Sequence, residues 1–149
     1  MFRYFDTEEA IKLHKLTIEK SGGGMMEILD KERLDSFLSH IQNDEYYPTI
    51  VDKVTHLFYS TCQFHCFADG NKRAAITFSM VFLLNNGYAW IAYNFPKTCE
   101  NISYHVASGA IDKEFLHEIF ENLLNNTFDN NENLKLKLLN VVENNEINR

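Results

Sequence analysis

Cysteine, proline and positive charge are all scarce in this chain. Its 149 residues include three cysteines, two prolines, and 14 lysines and arginines against 21 aspartates and glutamates, a net charge of −7. The cysteines, Cys62, Cys66 and Cys99, are odd in number and contain no Cys-x-x-Cys pair, so reduced thiols in a cytoplasm are expected rather than a disulfide framework. An acidic balance argues against a nucleic-acid clamp, which needs a concentrated positive face. No apolar run approaches the ~20 residues that cross a bilayer. The longest, Ala74 to Leu84, is interrupted by Thr77 and Ser79. The opening MFRYFDTEEA has no apolar stretch behind a basic segment, so neither a secretory leader nor a membrane partner is expected. With 45% hydrophobic and 23% charged residues, the chain has enough apolar surface to fold, and its length suits one domain, residues 1–149, around one core.

Apolar residues recur at three- and four-residue spacing, which predicts an all-α fold. Asp6 with Glu9 reads as the start of a first helix that buries Ala10, Ile11, Leu13, Thr17 and Ile18 and stops at Gly22, Gly23 and Gly24. A second helix carries Leu34, Phe37, Leu38 and Ile41, and Asn43 to Pro48 reads as a polar turn. A third begins near Thr49 with Ile50, Val51, Val54, Leu57 and Phe58 on one side. A fourth, Asn71 to Asn86, is apolar nearly all round and belongs in the centre of the domain. Tyr88 to Tyr93 is expected to be a short strand or extended segment, followed by helices near 97–106 and 112–124. The asparagine-rich residues 125–149 hold Leu134, Leu138, Val141 and Val142, enough for one appended helix.

Chemistry concentrates in nine residues, His65-Cys66-Phe67-Ala68-Asp69-Gly70-Asn71-Lys72-Arg73. A loop opening a buried helix presents unpaired N–H groups and the positive end of the helix dipole, both of which favour an anion. Gly70 permits close backbone approach. Lys72 and Arg73 oppose the dipole of the bare helix, so their presence there points to a polyanion such as a nucleotide phosphate. Asp69 stands where one carboxylate can help hold magnesium, and His65 is a side chain able to take a proton near neutral pH. Base, metal and phosphate cradle together describe phosphate-linked group transfer.

HCFADGNKR resembles the signature of the Fic/Doc family, His-x-Phe-x-(Asp/Glu)-Gly-Asn-x-Arg, matched by His65, Phe67, Asp69, Gly70, Asn71 and Arg73. EEAIKLHKLTIEKSGGG before it and AAITFSMVFLLNNGY after it are similar to the death-on-curing branch. The resemblance implies a helical fold with the motif between two central helices, and dependence on ATP and magnesium. It implies His65 as the base for a target hydroxyl, Asp69 as the metal ligand, Asn71 with Arg73 as phosphate holders, and Phe67 as a core anchor. The family's AMP transferases carry glycine and a second arginine where this chain has Lys72 and Ile76. Lys72 is instead what the Doc branch resembles, whose members phosphorylate elongation factor Tu. The expected activity is therefore phosphoryl transfer to a protein Ser or Thr, with AMP transfer as one alternative and an inactive binding module as another. The inhibitory helix of some relatives, with Ser or Thr four residues before Glu-Gly or Glu-Asn, has no match here, which points to a separate antitoxin protein.

Plainer readings stand beside these. His65 could be a packing residue, Asp69 only a helix cap, Lys72 and Arg73 solvated surface charges, and Cys66 a thiol nucleophile. His14, His40, His56, His105 and His117 read as structural or surface groups. Asn43 to Thr49 is either packing or the edge that receives an extended piece of the target.

Overall fold

In the computed structural model, which describes residues 1–147, short-range capping sets where most helices begin. Asp6 accepts from the backbone N–H of Glu9 at 2.9 Å and starts α1 (Thr7–Lys20). Asp30 accepts from Arg33 N–H at 2.9 Å and starts α2 (Lys31–His40). Thr49 and Asp52 form a reciprocal capping box at α3 (Ile50–Gln63). α4 (Asn71–Asn85) and α5 (Ala89–Ala107) begin without a side-chain cap, whereas Asp112 accepts from Phe115 N–H at 2.8 Å to open α6 (Lys113–Leu124). α7 (Glu132–Ile147) follows. Among the described residues there is no strand, and no helix is long and apolar enough to cross a membrane.

The fold is all-helical, as the periodicity predicts. α4 packs between α3 and α5, α1 lies against α4, and α6 covers α3. Phe58 of α3 marks the centre: its ring meets Phe95 of α5 at 6.1 Å and Phe120 of α6 at 5.2 Å, both edge-on. These aromatic contacts add to the area all three rings bury. The appended helix expected in the asparagine-rich tail is α7, with Leu134 buried and Leu138 and Val141 packed on the core. Of residues 125–149, only Asn148 and Arg149 lie outside the described residues.

One expectation needs correction. Tyr88 to Tyr93 is not extended: α5 already starts at Ala89 and runs through Pro96. Ala92, Phe95, Cys99, Ile102 and Val106, three or four residues apart, are all buried, and this stripe outweighs both the strand preference of Trp90, Ile91 and Tyr93 and the missing N–H of Pro96. Asn43 to Pro48 is the polar turn that the sequence suggests. Residues 43–47 are turns, tied by Asn43 Oδ1 to the N–H groups of Glu45 and Tyr46. The backbone that runs beside the motif loop is 27–30, joined to it by an isolated antiparallel bridge between Ile28 and Phe67.

Lys53 of α3 is 0% exposed, an uncommon state for an ammonium. It is satisfied: Nζ donates to Ile41 O at 2.7 Å and Asp44 Oδ1 at 2.8 Å, and it lies 5.0 Å from the Phe2 ring centre. Lys53 thereby holds the C-terminal end of α2 and the turn after it onto α3.

Candidate active site

The site starts with a reversal of the chain. α3 ends at Phe64, and His65 follows with φ +48°, in the left-handed region that few residues other than glycine adopt. Its side chain is exposed and has no hydrogen-bond partner among the described residues. The next two residues turn inward. Cys66 and Phe67 are buried, and Cys66 O accepts from the N–H groups of Leu29 at 2.7 Å and Asp30 at 3.2 Å, while Ala68 N–H donates to Glu27 O at 2.9 Å. Burial, then the nearby Asp30 carboxylate, push the Cys66 thiol up to about 11, which removes it as a nucleophile at neutral pH.

Phe67 is the anchor. Its ring stacks on the His14 imidazole of α1 at 3.8 Å and 8°, and meets Phe78 of α4 at 6.1 Å. Asn71 closes the loop on itself, accepting from Phe67 N–H at 3.2 Å and donating from Nδ2 to Phe67 O at 2.9 Å. These two bonds hold the amide within the loop and leave Asn71 its backbone N–H and the second Nδ2 hydrogen for an anion.

Gly70 supplies the second reversal, at φ +75°. A Cβ there would stand 2.5 Å from Ile18 Cδ1 of α1 and 3.4 Å from Arg73 Nη2. Gly70, not Asp69, occupies the cap position of α4, and no side chain caps this helix. The Asp69 carboxylate instead accepts from Gly70 N–H at 2.8 Å through Oδ1, with Arg73 Nη2 at 3.5 Å. The first helical bond is Ala74 N–H to Gly70 O, which leaves the N–H groups of Asn71, Lys72 and Arg73 open.

Arg73 points back to the end of α1. Its Nη1 donates to Ser21 Oγ at 2.7 Å and lies 3.3 Å from both Ser21 O and Gly23 O. Gly24 then passes over Asp69 so closely that a Cβ would stand 2.5 Å from Oδ2. Lys72 is exposed and forms no hydrogen bond or ion pair among the described residues. The loop therefore brings Asp69, Gly70 and Arg73 into one group, with Lys72 beside them on the helix and His65 at the loop entrance.

Sequence reasoning missed two parts of this arrangement. Ser21 to Gly24, read as a helix stop, also forms a wall of the site. His14, read as structural or surface, is wholly buried and its Nε2 lies 2.7 Å from Asp69 O. The signal for its burial was present, since Ala10, His14 and Ile18 sit four residues apart on one face. Its bonding partner, 55 residues away, had no local signal. Burial lowers the His14 pKa, opposed by the bond to Asp69 O and assisted by the Arg73 charge. Because a carbonyl oxygen only accepts, Nε2 carries a proton and donates it to Asp69 O.

Comparison with known proteins covers this same region. The model of the Fic/DOC family matches residues 4–83, which span α1 through most of α4 and every residue of the loop. A protein of Escherichia phage P1 named "Protein kinase doc" is 33% identical over 89 residues, covering 57% of this chain and 69% of that protein. A protein of Mycolicibacterium smegmatis named "Toxin Doc" is 28% identical over 116 residues, covering 75% of this chain and 86% of that one. With the motif on an uncapped central helix and the match extending over more than half of its length, this chain belongs to the Fic/Doc family.

Proposed function

We propose that this protein transfers the γ-phosphoryl group of ATP to a Ser or Thr hydroxyl of a target protein. One observation carries the reading. α4 opens with three unpartnered N–H groups and two cations in its first turn, next to an exposed imidazole, and no side chain of its own caps it. A bare helix is destabilised by cations there, and a bound polyanion reverses the sign of that interaction.

The chain's residues fit magnesium and nucleotide. Asp69 Oδ1 is held by Gly70 and Arg73, while Oδ2 has no hydrogen-bond partner among the described residues and lies in a space that exists because Gly24 has no Cβ. One carboxylate is what magnesium takes when phosphates and waters supply its remaining ligands. Bound at Asp69, the ion would offset charge on the phosphates. Lys72, with the N–H groups of Asn71, Lys72 and Arg73, would bind phosphate oxygens, and Gly70 lets them approach the backbone. Arg73 has donors left after its bonds to Ser21 and Gly23. His65 would accept the proton of the incoming hydroxyl as the new oxygen–phosphorus bond forms and the bond to the β-phosphate bridge breaks.

Lys72 and Ile76, in place of glycine and a second arginine, favour phosphoryl over AMP transfer, because together they alter the cradle that would hold a phosphate in the AMP-transferring orientation. The names of the two relatives, one a kinase and one a toxin, agree with this reading. A separate antitoxin that relieves the toxicity, and elongation factor Tu as the target, are what the resemblance suggests. The test is incubation with magnesium, a cell lysate and ATP labelled on either the α or the γ phosphate, followed by purified elongation factor Tu as acceptor. Label from γ on a protein band supports the proposal. Label from α alone assigns AMP transfer, and none from either leaves a binding module.

A further inference from the structure

His14 has a buried nitrogen that nothing nearby compensates: Nδ1 has no hydrogen-bond partner and the residue is 0% exposed. A phenylalanine or leucine would fill the same place without a stranded polar atom, so the imidazole has to be explained by its other nitrogen and its ring. Nε2–H donates to Asp69 O at 2.7 Å, and the ring lies flat on Phe67. Asp69 O belongs to the peptide whose opposite edge is Gly70 N–H, and that N–H holds Asp69 Oδ1 at 2.8 Å. A peptide is planar, so fixing its carbonyl fixes the direction of its N–H.

We infer that His14 is a positioning residue for the active site, which orients the Asp69 carboxylate by pinning the Asp69–Gly70 peptide between α1 and the motif loop. The inference rests on the proposed function for its catalytic meaning, though its geometry does not. His14 touches neither nucleotide nor acceptor in this scheme. It acts through the peptide: with the carbonyl held, Oδ1 is occupied by Gly70 and Oδ2 is turned towards the space beside Gly24. Without the donor, the carbonyl is free to rotate, the N–H leaves Oδ1 and the carboxylate loses its set direction.

The substitutions that separate donor from ring are His14→Phe, which keeps the stack and loses the bond, and His14→Gln, whose amide nitrogen reaches about as far as Nε2. Two readouts are measured on the full chain. Hydrogen exchange of the Gly70 amide, followed by NMR without nucleotide, reports the peptide directly. Manganese binding with a non-hydrolysable ATP analogue, followed by electron paramagnetic resonance, reports the carboxylate. His14→Phe is expected to speed Gly70 exchange and to weaken manganese binding roughly 10- to 100-fold, with His14→Gln restoring most of both. Should Phe prevent folding, His14→Asn takes its place, since its amide ends near the position of Nδ1 and cannot reach the carbonyl. Gly70 exchange unchanged by loss of the donor, or not restored by Gln, overturns the inference. Failure of the wild-type protein to bind manganese and the ATP analogue would instead overturn the proposed function, and Gly70 exchange would still decide the role of His14.

Discussion

Lys113 Nζ, in the first turn of α6, lies 2.8 Å from His56 Nδ1 in the middle of α3. The ammonium donates and the neutral imidazole accepts. Tyr47 stacks on the same ring at 4.4 Å, and His40 lies 6.0 Å away on α2. Burial first, then the charges of Lys113 and His40, lower His56 to about 4 from its ordinary 6.5. The folded protein therefore refuses a proton that the unfolded chain accepts. The associated stability is fully present above pH 6.5 and is lost as the pH falls towards 4, an effect of about 3 kcal/mol at most. Urea denaturation of wild type and His56→Phe at pH 7.5, 6, 5 and 4.5 checks this. The variant should lose less stability across that range, and parallel curves would remove His56 as a source of acid sensitivity.

His65 is exposed and unbonded, so its removal should cost activity rather than folding. Because φ is +48°, glycine fits the position better than alanine. His65→Gly and His65→Ala are both expected to reduce transfer roughly 100-fold or more. Both variants should keep the thermal midpoint to within about 1 kcal/mol of stability, since alanine has the same Cβ as histidine and glycine's relief of strain is offset by its greater unfolded-state freedom. Transfer retained by either variant would take His65 out of the mechanism.

The glycine run offers an internal comparison. Gly22 and Gly24 both have positive φ, +99° and +142°, so alanine strains the backbone at each. A Cβ at Gly22 meets nothing within 4 Å, whereas one at Gly24 collides with Asp69 Oδ2. Gly24→Ala should therefore reduce magnesium-dependent transfer roughly tenfold or more, beyond whatever Gly22→Ala does. Equal activities in the two variants would show that Gly24 does not shape the carboxylate site.

Phe58→Ala should destabilise the protein by about 3–5 kcal/mol, since the ring is fully buried between Phe95 and Phe120 and its loss opens a cavity at the meeting of α3, α5 and α6. Chemical denaturation measures it. A loss below about 1 kcal/mol would mean that the three helices re-pack around the gap.

Much of the fold is legible in near-neighbour patterns. Asp6, Thr49 and Asp112 cap helices where the residue types suggest, and the spacing of Leu34, Phe37, Leu38 and of Val54, Leu57, Phe58 marks buried faces. These signals are local, acting between residues three or four apart. The same locality misleads at Tyr88 to Tyr93, where bulky residues suggest an extended chain and only packing against α3 and α4 makes the helix win. Within the loop, the residue types point to the reacting groups, while the closure of Asn71 on Phe67 is seen only in the folded chain.

The amino-acid order by itself determined that the chain is helical, where most of its helices begin and where the chemical groups gather, because period, caps and a nine-residue motif are written in near neighbours. Tertiary packing decided how those groups face one another: Arg73 turned to Ser21 across 52 residues, His14 set on Asp69 across 55, and Gly24 laid over the carboxylate. Such contacts follow from how α1 sits on α4. That placement is set by the fit of whole helix faces, a property of the assembled core that no stretch of residues specifies alone.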